Sequence, residues 1–391
     1  MQIILNNCMG KLPNRLLYVS PVQLSSFAQR PHHFVKWYHD RTGGAVLWVD
    51  PGPSRLPRWT DIKRLKKIYK ISNSNLGPTW QNDDWIQNVK ACVVPFEPTS
   101  FGRSINEFLW KWPLREIKKF IDKDTLLVFG KPCALSIALA KLFPKNNLLF
   151  DAMDHLPGFC NGISKQWMLH AEKELAIRVQ TLWVSSDALM NLHGEHAHKS
   201  HLVLNGLTPP TTSIRRVINE KPVLGYLGVI DHWFDWRRVI SLAESRPWLE
   251  VQLVGPVHLA PPLVLPPNLT CRPAVPHSQI FDTLSQFDAG LIPFIDNDLT
   301  SFVDPVKYYE YRAVGLPVLS TSFGQMIGRG RSEGVWCWDA TVQLGDEQLM
   351  AMLEDRPSLS QQQSFVELHN WTRRFDSVAH TISLKGVVST P

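Results

Sequence analysis

The sequence predicts an α/β protein built from two similar open-sheet domains that face each other. Three observations carry that expectation. Short apolar runs alternate with helical patterns through most of the chain, the signature of parallel strands covered by crossover helices. An aperiodic stretch with a Pro-Pro pair, LTPPTTSIRRVINEK at 207–221, divides the alternation into two blocks and reads as a linker. At 391 residues the chain exceeds the roughly 100–200 of one ordinary domain, so each block can bury its own core.

In the first block, strands are expected at 15–21, 45–51, 91–98 (ACVVPFEP), 125–130, 147–154 (NLLFDAMD), 181–186 and 201–206. Helical patterns stand between them at 27–40, entered through Pro31, at 133–143, near 165–178, and directly after 186. SINEFLWKWPLREIKKFI (104–121) is a more irregular helical excursion, which Pro113 is expected to kink or end. The second block repeats the alternation. Strands are expected at 222–230, 249–256, 288–294, 317–322 and 333–339, with helices at 236–246, 277–287 and 306–315, the last stopped by Gly315. Helical stretches from QLMAMLED onward complete the chain. Sheets of this kind hold ligands beyond the carboxyl ends of their strands, so a ligand held in common is expected in a cleft.

An apolar content of 44% and a charged content of 19% exclude a disordered or fibrous protein. Six cysteines without a CxxC or a regular framework argue against a disulfide-stapled module or a thiolate zinc site. No HExxH spacing occurs, and no dedicated metal site is expected. The short apolar run at the N-terminus lacks a cleavage-like site, and no stretch reaches the roughly 18–20 apolar residues of a membrane span. A cytoplasmic, non-integral protein is therefore expected. The net charge of +6 is unevenly spread: residues 1–219 carry 28 Lys/Arg against 16 Asp/Glu, whereas 220–391 carry 13 against 19. A basic first half suits a nucleic acid, a phosphorylated substrate or an anionic membrane surface, and equally a merely solvated face.

The sharpest local signal is DPVKYYEYRAVGLPVLST at 304–321. Lys307 and Glu310 are three apart on one short helix and share a face, with Tyr308 and Tyr309 available for packing. A lysine at a helix start suits a phosphate, and a glutamate one turn on can accept hydrogen bonds from a ribose diol. Taken alone, the pair also reads as a surface ion pair. The segment resembles the donor-binding motif of nucleotide-sugar glycosyltransferases of GT-B fold, two facing Rossmann-like domains, especially the family-4-like bacterial enzymes of capsule, teichuronic acid and exopolysaccharide synthesis. Pro305, Lys307, Glu310, Tyr311, Ala313, Gly315, Pro317, Val318 and Thr321 match that motif position by position. Further segments agree in order over roughly 15–380: QRPHHF (29–34), FDAMD (150–154), GYLGVIDHWFDW (225–236), FDAGLIPF (287–294) and NWTRRFDSV (370–378).

The resemblance implies an acceptor-side domain at 1–206, a linker at 207–221, a donor domain at 222–369 and a helix at 370–391 returning toward the first domain. It implies that Lys307 contacts the donor phosphate and Glu310 the ribose, joined by Tyr308 and by the loop bearing Gly228, Asp231 and His232. The donor would be a UDP- or GDP-linked sugar, with no metal and no tightly bound cofactor. In the first domain Asp154 is the expected general base, Asp151 a cap or brace, and Arg30, His32, His33 and His155 cleft or acceptor contacts; Arg30 can meet a phosphate or brace the aspartates. One departure stands out. Many retaining relatives carry a second glutamate at the position of Phe302; here either Asp304 partly substitutes for it or the sugar contact is made otherwise, so the resemblance leaves retention and inversion both open.

The basic stretch IKRLKKIYK (62–70) and the aromatics Trp110 and Trp112 suggest peripheral contact with an anionic membrane bearing a lipid-linked or polysaccharide acceptor. Two other functions compete: a sugar epimerase on the same scaffold, or a non-enzymatic binder of polyanion or glycan. A nucleic-acid binder would leave the acidic half and its Lys307/Glu310 pair without a role, so nucleic acid is not an expected partner.

Overall fold

The computed structural model describes residues 11–50, 52, 56, 79–91, 93–210, 217–262, 264–339 and 344–384. The chain divides into two compact units: unit 1 is Met1–Val203 with Phe375–Pro391, and unit 2 is Leu204–Arg374. The basic stretch at 62–70 lies outside the described residues.

Among the described residues, unit 1 carries a parallel sheet of seven strands: β1 (Arg15–Val19), β2 (Ala45–Asp50), β3 (Ile86–Lys90), β4 (Leu126–Phe129), β5 (Asn147–Ala152), β6 (Thr181–Val184) and β7 (Ser200–Leu202). Their order is β3-β2-β1-β4-β5-β6-β7. The central strands β1, β4 and β6 are apolar runs because both of their faces are covered. Covering them are α1 (Arg30–Thr42), α2 (Ser100–Leu109), α3 (Lys111–Phe120), α4 (Ala134–Leu142), α5 (Gly162–Arg178) and α6 (Asp187–Leu192). Strand order reverses between β1 and β4, the place where such sheets leave a ligand crevice.

One expectation is corrected here. The third strand is Ile86–Lys90, not 91–98. Pro95 and Pro98 withhold ladder N–H groups, while the half-polar IQNVK is an edge strand with solvent on most of its surface. The helical excursion does divide as expected: α2 ends at Leu109, whose carbonyl Pro113 has no N–H to meet, and Pro113 sits in the first turn of α3, where no intrahelical N–H is needed.

Unit 2 carries a second parallel sheet among its described residues, with β8 (Val223–Leu227), β9 (Glu250–Val254), β10 (Leu269–Arg272), β11 (Ala289–Ile292), β12 (Val318–Ser320) and β13 (Val335–Cys337) in the order β10-β9-β8-β11-β12-β13. The edge strand β10 was not anticipated, since only Leu269 of its four residues is buried. Helices α7 (Trp236–Glu244), α8 (Ile280–Leu284), α9 (Val306–Ala313), α10 (Asp346–Glu354) and α11 (Leu359–His369) complete this unit. Order reverses here between β8 and β11. The last helix, α12 (Trp371–Val378), gives Arg374 to unit 2, where it donates to the Asn205 carbonyl at 3.1 Å. Its Phe375 packs edge-on against Phe34 of unit 1, ring centres 5.3 Å apart.

Candidate functional site

In unit 2 the reversal point is where Lys307 lies. Strand β8 is followed by Gly228, whose φ of +148° and whose neighbours both require glycine. A Cβ there would stand 2.6 Å from Lys307 Nζ, so the missing side chain lets the ammonium rest against the backbone. Lys307 Nζ also lies 5.3 Å from the Tyr226 ring centre and 5.7 Å from that of Phe294, residues at the ends of β8 and just past β11. Both Lys307 and Glu310 are half-buried. Burial pushes the Glu310 carboxyl up to about 7, with Lys307 opposing, and lowers the Lys307 ammonium, with Glu310 opposing. Neither charge is fully compensated by the other. Tyr311 braces the floor from one turn further along, its hydroxyl accepting from the Leu227 amide at 3.0 Å.

Asp231, in the loop after Gly228, is buried and accepts from the His232 amide at 2.8 Å. Its other oxygen is 3.1 Å from His258 Nδ1. The His232 ring is 82% exposed and 3.5 Å from the same carboxylate. His258, which follows β9, had no local sequence signal, because its place beside Asp231 comes from the pairing of two loops.

Two donor-side expectations fail. Tyr308 does not stand beside Lys307. It is buried on another face of α9, under the Arg329 guanidinium 4.0 Å from its ring centre, because successive helical residues diverge by about 100°. Asp304 cannot replace the glutamate missing at Phe302. Buried, it accepts from Arg329 Nη2 at 2.8 Å, the Tyr309 hydroxyl at 2.9 Å and the Asn205 amide at 2.8 Å, which occupies its lone pairs with structure.

Unit 1 gathers Arg30, Asp151 and Asp154 at the carboxyl end of β5. Asp151 is fully buried and accepts from Arg30 Nε at 3.0 Å and Nη2 at 2.8 Å, and from the Tyr18 hydroxyl at 3.1 Å. Arg30 also donates to the Val203 carbonyl at 2.7 Å. The Arg30 fork is thus engaged with Asp151 and the Val203 carbonyl within unit 1. Asp154 is half-buried, and burial raises its carboxyl to about 7, Arg30 opposing and Asp151 adding. Such a carboxyl is poised to exchange a proton near neutrality.

The histidines divide. His32 is buried between Trp48 and Trp80, with ring centres 4.8 and 6.3 Å away. Its Nδ1 accepts from the Gln29 amide, so Nε2 donates to the Leu24 carbonyl. Burial lowers it to about 4, and this neutral, enclosed ring cannot serve an acceptor, which corrects that expectation. His33 is half-buried on α1. His155 is buried with Nδ1 3.9 Å from Glu172, which also meets His193 Nε2 at 3.1 Å; it too is enclosed rather than presented.

Sequence reading missed Glu97. This buried carboxylate accepts from the Ala134 amide, the first residue of α4, at 2.9 Å and from Trp167 Nε1 at 2.9 Å. Helix α4 follows β4 at the reversal point of unit 1, so the protein's own carboxylate caps the helix start there. Among the described residues, no group of three or more His, Cys, Asp or Glu is placed to hold a metal ion, and no helix is long and apolar enough to cross a membrane.

No protein-family model and no curated protein matches the sequence. Solved structures do. The chain is similar to Anabaena Alr3699/HepE in complex with UDP and glucose, with TM-score 0.60 and 12% identity over 94% of this chain and 99% of that one. It is similar to the lipopolysaccharide outer core galactosyltransferase WaaB, with TM-score 0.57 and 11% identity over 93% and 98% of the two chains. A third likeness is to AviGT4, a glycosyltransferase involved in avilamycin A biosynthesis, with TM-score 0.56 and 12% identity over 95% and 97%. At such identities the likeness establishes the fold. Two Rossmann-like α/β units matched over nearly whole chains define a GT-B fold.

Proposed function

We propose that this chain is a nucleotide-sugar-dependent glycosyltransferase. Unit 2 takes the donor, Lys307 meeting the diphosphate and Glu310 the ribose hydroxyls, with the Gly228 loop alongside. In unit 1 Asp154 takes the proton from the acceptor hydroxyl, and the Arg30–Asp151 pair holds its surroundings in place. The observation that carries this reading is Lys307 resting on side-chain-free Gly228 where the strand order of unit 2 reverses. Support comes from the solved structures of like fold, several of which hold UDP or a UDP-sugar. An epimerase or a passive glycan binder has no comparable observation in its favour.

The acceptor we propose is a bacterial surface glycan or lipid-linked oligosaccharide, met peripherally at the cytoplasmic face of an anionic membrane. Trp110 drops out of that contact, being 1% exposed in the core, whereas Trp112 is 74% exposed. Phe101 and Phe108, seven apart on α2, are exposed beside it, with Lys111, Arg115, Lys118 and Lys119 on the neighbouring helix. Such pairing of aromatic and cationic side chains suits a headgroup layer.

Calorimetry with UDP and GDP tests the donor half. Glu310→Ala should weaken nucleotide binding by roughly 1.5–3 kcal/mol, the worth of a charged hydrogen bond. Unchanged affinity in the folded variant refutes the assignment.

A further inference from the structure

The face of α9 opposite Lys307 and Glu310 borders a cavity of about 330 Å³ within unit 2. Its walls include Arg312, Arg331, Gln361, Gln362, Phe365 and His369. Arg312 donates through Nη1 to the Leu316 carbonyl at 3.0 Å, but its Nε is buried and meets no acceptor. Gly334, at φ +71°, cradles that group, since a Cβ there would fall on the guanidinium. Arg331 lies over the Trp336 ring at 4.1 Å. Among the described residues, neither arginine forms an ion pair with a carboxylate. Asp355 also borders the cavity and acts on Arg312 at longer range, while its Oδ2 accepts from Trp336 Nε1 at 3.1 Å. Glu333 is an exposed rim residue, and His369, lowered to about 4 by burial and two nearby arginines, is neutral.

Two guanidiniums on one polar cavity, neither paired with a carboxylate, leave donors for an anion that enters it. Guanidinium matches phosphate in geometry and charge. The volume lies at the small end of ligand pockets, about 300–1,000 Å³, which favours a one-ring compound over a nucleotide. We propose that this cavity binds a small phosphomonoester of the sugar-phosphate class, its phosphate held by Arg312 and Arg331 and its hydroxyls by the amides of Gln361 and Gln362. The site is distinct from the donor site and does not depend on the transferase reading.

The test is calorimetric titration of the full chain with glucose 1-phosphate and with inorganic phosphate, each without UDP and at saturating UDP. Saturable binding of both probes that survives UDP is expected, with glucose 1-phosphate the tighter. Arg331→Gln, an exposed position where the fold is not at stake, should weaken it at least tenfold, and Arg312→Gln likewise, while Lys307→Ala leaves it unchanged. Absence of saturable binding, indifference to Arg331→Gln, or loss only in Lys307→Ala or on addition of UDP would each overturn the proposal. Failure of UDP itself to bind would count against the transferase reading and leave the titration without UDP to decide this one.

Discussion

Two carboxyls, Asp154 in unit 1 and Glu310 in unit 2, are both raised to about 7 by burial, and each carries a cost in stability. A group with a raised folded pKa contributes stability that is full below its unfolded pKa near 4 and is lost as pH rises through about 7. Asp154→Asn and Glu310→Gln should therefore be more heat-stable than wild type at pH 8, with the gain shrinking toward pH 5. A gain that does not vary with pH would contradict the buried charges. Asp154→Asn should also keep donor binding while lowering turnover by about 10²–10⁴-fold, and the acid limb of kcat/KM near pH 7 should disappear with it. A near-wild-type rate excludes Asp154 as the base. Some of this was legible early: the spacing of Lys307 and Glu310 names a shared face in any helix. The burial of His32 was not, because Trp48 and Trp80 close over it from a strand and a turn far along the chain.

At the scale of elements, α9 could be read from sequence because a helix start, an i,i+3 pair and a terminating Gly315 are all local. The third strand was misread for the opposite reason. An edge position tolerates polar IQNVK, and only its pairing with β2 distinguishes it from the more apolar ACVVPFEP. The paired helices α2 and α3 present Phe101, Phe108 and Trp112 outward, at 75%, 67% and 74% exposure, an unusual concentration of bare aromatic surface. Replacing all three by Ser should abolish the salt-resistant part of retention on anionic vesicles in a flotation assay and leave UDP affinity intact. If wild type does not float with anionic vesicles even at low salt, the membrane contact is refuted and the donor site is untouched. Trp110, between these helices, is the contrasting case: its truncation to Ala should cost about 3–5 kcal/mol of stability because it lies in the core.

Across the whole molecule, the two-block α/β architecture was legible because parallel strands buried on both faces leave long apolar runs. What the sequence could not display was the difference between two units of like topology. Lys307 rests at the reversal point of unit 2, whereas at the reversal point of unit 1 the start of α4 is already occupied by Glu97. Burial raises the Glu97 carboxyl, while the Ala134 and Trp167 hydrogen bonds and nearby Lys131 and Arg103 oppose it. Remove that carboxylate and the Ala134 amide and Trp167 Nε1 lose their buried acceptor. Glu97 is in that sense a built-in plug: the chain's own charge fills the helix start in one of two look-alike units, while the reversal point of the other is held by Lys307.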